Sequence, residues 1–229
     1  MITKILSTAV KFYLRSQVSR VEDLQVRIDG KNRQILKGYI PQVFISCREG
    51  VYRGLHLREV ELKGNDIAVN LPEVLKNKPL KLLEPIVVEV KLKLDANDLL
   101  KSLDSDLLQS GLSDLWNIVL SADKKSFVNA RSISNIEWTN ISLSNDRLTF
   151  SGIYQGNLNK VKQLNLSAGI YLSNSHTLCL SLLKISNNLD IVDEPVDKLE
   201  IDLGKDVAFE DLTIASEQIS CLGKITVNN

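Results

Sequence analysis

In residues 92–112, LKLDANDLLKSLDSDLLQSGL, a strand turns into a helix, and that change of period organises the rest of the chain. Just upstream and into this stretch, Val88, Val90, Leu92 and Leu94 alternate with charged residues, the period-two pattern of a strand with one apolar face. After Asp95 the spacing becomes helical: Leu99, Leu103 and Leu107 follow at four-residue steps, with Leu100 and Leu108 beside them. The Asp95 carboxylate can accept from the free amides of a first helical turn, and Asp98 places negative charge at the positive helix end. Leu112, Leu115, Trp116, Val119 and Leu120 extend the helical segment to about residues 96–120. Asp104-Ser105-Asp106 within it reads as a second helix start with its cap, in preference to a carboxylate pair for acid–base work or calcium. Such a segment is apolar enough to pack across a sheet.

On both sides of this segment the chain reads as strands. Residues 24–28, a turn at 29–32 and the run QILKGYIPQVFIS suggest a hairpin, with Pro41 marking an edge or a bulge. VYRGLHLREVELKGNDIAVNL suggests a second hairpin turning at Lys63–Asp66. Pro72, Pro79 and Pro85 punctuate a less regular stretch before the Val88–Leu94 strand. After residue 126 strands resume, and WTNISLSNDRLTFSG (138–152) aligns without gaps onto FEDLTIASEQISCLG (209–223). Trp138 matches Phe209, Ile141 matches Leu212, Leu143 matches Ile214, Leu148 matches Ile219, Phe150 matches Cys221 and Gly152 matches Gly223. Leu57, Val60, Leu62 and Ile67 keep the same spacing in a fainter third copy. The expectation is one β-rich domain over residues 1–229.

Residues 2–21 suit a helix. Ile2, Ile5, Leu6, Ala9, Tyr13, Leu14, Val18 and Val21 fall on one side and Lys4, Thr8, Lys11, Arg15 and Ser19 on the other, with no acid before Glu22. Lys4, Lys11, Arg15 and Arg20 are candidates for contact with anionic lipid headgroups; the competing reading is the solvated side of a helix packed on the sheet.

Composition narrows the function classes. Lys+Arg and Asp+Glu are 28 each, which argues against a nucleic-acid binder. The charge is unevenly spread: residues 1–54 hold ten cations against four acids, and residues 190–217 hold ten acids against two cations. Hydrophobic residues make up 44% and aromatics only 5%, so the core is expected to be aliphatic. Cys47, Cys179 and Cys221 are scattered and odd in number, without the spacing of a disulfide framework or a zinc site, and read as reduced core residues. His56 and His176 sit on different hairpins and read as surface residues. No P-loop, dinucleotide fingerprint, nucleophile elbow or H-E-x-x-H occurs, so no catalytic residue, metal ligand or cofactor is assigned and an enzyme is not expected. Lys4, Thr8 and Lys11 interrupt the N-terminal apolar residues, and no stretch has transmembrane length, so the chain reads as cytoplasmic with peripheral membrane contact.

LSTAVKFYLRSQVSRVEDLQVRIDGKNRQILKGYIPQVFISCREGVYRGLHLREVEL and LPEVLKNKPLKLLEPIVVEVKLKLDANDLLKSLDSDLLQSGLSDL together resemble the LmeA-like phospholipid-binding family, in the soluble form found in cyanobacteria. The strand running into the acid-capped LDANDLLKSLDSDLL helix carries most of the likeness, which is good over about residues 1–120 and general thereafter. The resemblance implies an α+β, tubular lipid-binding (TULIP-like) fold, in which a long curved antiparallel sheet wraps around helices and leaves an apolar channel. It implies a phospholipid or other glycerolipid as partner and noncatalytic binding or transfer. The lining is then expected to include Val88, Val90, Leu92, Leu94, Leu99, Leu103, Leu107, Ile141, Leu143, Leu212 and Ile214. The residues themselves leave a second possibility open: a tube filled by its own leucines, in a structural or adaptor protein whose acidic C-terminal region binds a protein partner.

Overall fold

The computed structural model describes residues 2–74, 78, 81–122, 130, 133, 135–144, 146–155, 161–187, 190–191 and 195–228. Among the described residues, five helices and twelve strands follow in the order α1 (Ile2–Gln17), β1 (Asp23–Asp29), α2 (Asn32–Leu36), β2 (Tyr39–Tyr52), β3 (Leu55–Ala68), α3 (Leu71–Val74), β4 (Ile86–Asp95), α4 (Ala96–Lys101), α5 (Asp106–Ala122), β5 (Glu137–Ser144), β6 (Arg147–Gln155), β7 (Val161–Asn174), β8 (Thr177–Asn187), β9 (Asp190–Ile191), β10 (Val196–Asp202), β11 (Val207–Ile214) and β12 (Gln218–Val227). Two open antiparallel sheets stand where one long sheet is expected. The first has the order β1-β2-β3-β4-β12-β11 and the second β10-β8-β7-β6-β5, with β9 beside β8. They meet at single backbone contacts, where Asp146 N–H donates to Ile214 O at 3.2 Å and Phe209 N–H to Ser175 O at 2.7 Å.

The strand-to-helix switch lies where the period places it. β4 ends at Asp95, the N-cap of α4, and the Asp98 carboxylate accepts from Asp95 N–H at 3.3 Å. A break at Ser102–Ser105 separates the two helices, and Ser105 Oγ starts the second by accepting from Leu108 N–H at 3.2 Å. α5 lies on the second sheet, and α4 bridges the two, meeting β3 and β4 of the first as well as β5 of the second. Leu99, Leu103, Leu112, Trp116 and Val119 join Trp138, Ile141, Phe150, Leu164, Leu166, Leu180, Leu183 and Ile185 in one buried core. Trp138 is its hub, in edge-to-face contact with Trp116 (6.4 Å) and Phe150 (6.0 Å).

The 138–152 and 209–223 repeat is a repeated hairpin. In β5–β6, Trp138 faces Gly152, Ile141 faces Phe150 and Leu143 faces Leu148; in β11–β12, Phe209 faces Gly223, Leu212 faces Cys221 and Ile214 faces Ile219. Both ladders also shift by one residue at the same place, between Trp138 and Asn140 and between Phe209 and Asp211.

Four expectations need correcting. The segment Lys63–Asp66 is no turn: β3 runs straight through it, paired with β2 from Ala68 back to Leu55. The hairpin turns instead at Arg53 (φ 49°) and Gly54 (φ 81°), a two-residue loop whose left-handed pair suits strand twist. The faint third repeat therefore falls within a single strand. Residues 32–36 form a helical turn between Gly30 and Gly38 rather than part of a strand. Finally, α1 stops at Gln17, because Ser19 N–H donates to Val51 O and Val51 N–H to Arg20 O, which ties the following residues to β2 as an extended bridge. Arg20, Val18 and Val21 are thus off the helix, and Tyr13 is 62% exposed instead of facing inward. Of the expected inner stripe, Leu6 packs on Ile28, Ile35, Ile40, Ile67 and Val69, joined there by Val10, which the expected stripe did not include. The side chains of Ile2, Ile5 and Ala9, and residues Pro79, Asp193 and Glu194, lie outside the described set.

Candidate functional site

The register of the first sheet puts its aliphatic residues on one side. Reading across it, Ile45 pairs with Val26 and Leu62, and Leu62 with Val90. One step along, Cys47 pairs with Leu24 and Val60, Val60 with Leu92, and Leu92 with Cys221, which faces Leu212. The next row in the other direction is Val43, Gly64, Val88 and Ile225, ending on Val207. The result is a continuous aliphatic surface across six strands.

The opposite surface is charged. Glu59, Glu61 and Lys63 on β3 stand directly across from Lys93, Lys91 and Glu89 on β4, with ion-pair distances of 2.7, 3.4 and 3.3 Å. Arg48 adds a contact to Glu59 at 3.8 Å, and Lys224 pairs with Glu210 at 2.6 Å on the far strands. The Lys93 hydrogen bond, with the charges of Lys93, Lys91 and Arg48, holds the Glu59 carboxyl below its ordinary range despite desolvation.

The two sheets differ in how their apolar sides are covered. The second sheet's apolar side is closed by α4 and α5, and Leu164, Leu183 and Ile185 are at most 1% exposed. The first sheet's apolar side is covered along its edge strand β1, where Leu24 and Ile28 are buried, and at its corners. Leu6 and Val10 of α1 cover the corner at Val26, Ile28 and Val43, and Leu94 and Ile219 pack against the α4–α5 core. Between these corners Ile45, Cys47, Val60, Leu62, Val88, Val90, Leu92, Cys221, Phe209 and Leu212 are all half-buried, neither sealed nor free. Burial pushes the Cys47 thiol up, with the Asp23 charge adding to it, and burial likewise pushes up Cys221.

The expected lining residues are divided between these surroundings. Val88, Val90, Leu92 and Leu212 share the half-open part of the first sheet, and Leu94 lies on the same side where it packs against the α4–α5 core. Ile214 belongs to the same row but is buried where the sheets meet. Leu99, Leu103 and Ile141 are sealed in the second core, Leu143 packs against it, and Leu107 is 43% exposed. Ile45, Cys47, Val60, Leu62, Phe209 and Cys221 complete the open surface and escaped the sequence reading. Their alternation is visible in FISC and EVEL, but which alternating strands stay uncovered depends on where the helices land.

The basic N-terminal residues are also divided. Lys4 and Arg15 are exposed on α1 and Lys11 is half-buried there, while Arg20 pairs with Glu22 at 2.9 Å off the helix end. Phe12, 76% exposed, and Tyr13 stand out from the same helix. Among the described residues no helix is long and apolar enough to cross a membrane.

No curated protein and no solved structure matches this chain. A family model does, over residues 1–224, which takes in all five helices described and every strand but the last residues of β12. By that match the chain belongs to the LmeA-like phospholipid-binding family.

Proposed function

We propose that the half-open side of the first sheet holds the acyl chains of a phospholipid or related glycerolipid, and that the protein binds or carries such lipids without catalysis. The observation that carries this reading is the unequal covering of the two sheets. Both have an aliphatic side; α4 and α5 seal that of the second, whereas on the first α4 reaches β3 and β4 near Leu94 and leaves the middle half-buried. Burying a methylene from water is worth about 0.8 kcal/mol, so an uncovered surface of this kind favours an apolar occupant. On this reading the two sheets form an incomplete tube, one part filled by protein and one part by cargo. The exposed Lys4 and Arg15 of α1, flanked by Phe12 and Tyr13, give it a means of approach to an anionic membrane.

The competing reading, an adaptor with a self-filled core, draws on the sealed second sheet. The cysteines separate the two. Cys47 and Cys221 lie on the half-open side, and Cys179 is fully buried on the outer face of the second sheet, between Tyr171 and Glu200 of the neighbouring strands. Alkylation by N-ethylmaleimide at alkaline pH, followed by peptide mass spectrometry, reports each thiol separately. Phosphatidylglycerol vesicles are expected to slow modification of Cys47 and Cys221 together, with Cys179 unmodified until the protein unfolds. Unchanged rates at Cys47 and Cys221 would refute chain binding at this surface and favour the adaptor.

A further inference from the structure

The apolar side of the first sheet does not run out into solvent at its α4 end. Past the row of Cys47, Val60 and Leu92, β4 and β12 continue with Leu94 and Ile219, but β2 and β3 turn charged: Arg58 contacts Glu49 and places its Nε 3.1 Å from Asp95 Oδ2. Beside them lies a recess of about 240 Å³, lined by Arg20, His56 and Lys101 together with Glu49, Gly50 and Asp98. It adjoins the apolar surface through Gly50, where an added Cβ would stand 2.7 Å from Cys47 Sγ.

The groups around the recess are unequally committed. Glu49 is engaged by Arg58. Asp98 is 6% exposed and accepts from Asp95 N–H. The backbone donors are used as well, Val51 N–H by Arg20 O at 2.8 Å and His56 N–H by Ser102 Oγ at 2.7 Å. Arg20 gives one nitrogen to Glu22 at 2.9 Å and keeps the rest of its five-donor fork. Among the described residues, Lys101 Nζ and the His56 ring have no partner. The donors that remain free, the rest of the Arg20 fork, Lys101 Nζ and the His56 ring, are of the kind that recognises phosphate oxygens.

We infer that this recess holds the phosphate group of the lipid whose chains lie on the first sheet. The inference rests on the chain-binding reading above and adds selectivity to it. A chain taken from a bilayer was never in water, so chain burial discriminates poorly between lipids and a polar contact must do it. Lys101, His56 and Arg20 make that contact at the point where the aliphatic surface turns polar.

Three probes test it by calorimetry on the full chain, below their aggregation concentrations: dioctanoyl phosphatidylglycerol, dioctanoylglycerol and inorganic phosphate. The phospholipid is expected to bind at least about tenfold more tightly than the neutral lipid of the same chains. Lys101→Glu and Lys101→Gln should remove that preference and leave dioctanoylglycerol binding unchanged, with His56→Ala reducing it in part. Lys101 is exposed, and thermal unfolding of each variant confirms the fold. Inorganic phosphate should bind weakly and be displaced by the phospholipid; phosphate that the phospholipid does not displace would make the recess a free-phosphate site and overturn the lipid assignment. A preference that survives in all three variants overturns the phosphate site and leaves chain binding standing. Failure of both lipids to bind the wild-type protein overturns chain binding and this inference with it.

Discussion

A methyl group added at Gly223 would stand 2.6 Å from the carbonyl oxygen of Ala208, and one added at Gly152 would stand 2.9 Å from that of Glu137. Each glycine faces the bulge of its own hairpin, at Phe209 and at Trp138, where the one-residue shift carries the partner strand against it. Gly223→Ala and Gly152→Ala should each cost about 1–3 kcal/mol, read as a lower midpoint of thermal unfolding. The matched glycines are legible in the sequence as the last members of the two aligned segments. The bulge that requires them is not, because a ladder shift is a relation between two strands and neither strand alone records it.

At the scale of elements, the β3–β4 pair shows what local signals decide and what they do not. The β4-to-α4 switch is legible because every local signal agrees: alternation up to Leu94, a carboxylate at the cap position, and leucines at helical steps after it. Lys63–Asp66 misleads because its turn-forming residues are overruled by their partners. Gln42 Nε2 donates to Asn65 Oδ1 at 2.9 Å across the ladder, Asp66 takes the left-handed kink (φ 52°), and the Tyr39 hydroxyl donates to its carboxylate. On the outer side of the same pair, Glu59 is the meeting point of Lys93 and Arg48. Its carboxyl is held below its unfolded-state range, so the folded protein keeps the stabilisation at neutral pH and loses it as pH falls through the depressed folded value. Glu59→Gln should flatten that acid limb while changing neutral-pH stability by less than about 1 kcal/mol, as expected of pairs near the surface. Unfolding midpoints measured from pH 7 down to pH 3 check both parts.

For the whole molecule, the helix that covers one corner of the first sheet also carries the exposed aromatics and free cations of the N-terminal region. Reversing Lys4, Lys11 and Arg15 together to Glu should weaken cosedimentation with phosphatidylglycerol-rich vesicles at least about tenfold, since each cation near such a surface is worth roughly 1 kcal/mol. Raising salt should have the same effect on the unmodified protein. Phe12→Ala with Tyr13→Ala should weaken the binding that persists at high salt. The basic residues are readable in the sequence at their helical spacing. The outward position of Tyr13 is not, because the helix presents Leu6 and Val10 to the sheet and ends before Val18 and Val21 can continue that side. Nor is the openness of the first sheet readable, since its leucines and valines match in kind those sealed beneath α5.

That openness has a thermodynamic consequence. Unfolding a protein raises its heat capacity in proportion to the apolar surface newly wetted, about 12–15 cal/mol/K per residue for a chain whose core is closed. Here a sheet-wide aliphatic surface is already partly wet in the native state, so the empty protein has less left to expose than its length implies. Its stability curve is correspondingly flatter. An occupant that dries the surface restores the missing heat capacity and bends the curve, which makes the difference between empty and filled protein depend on temperature.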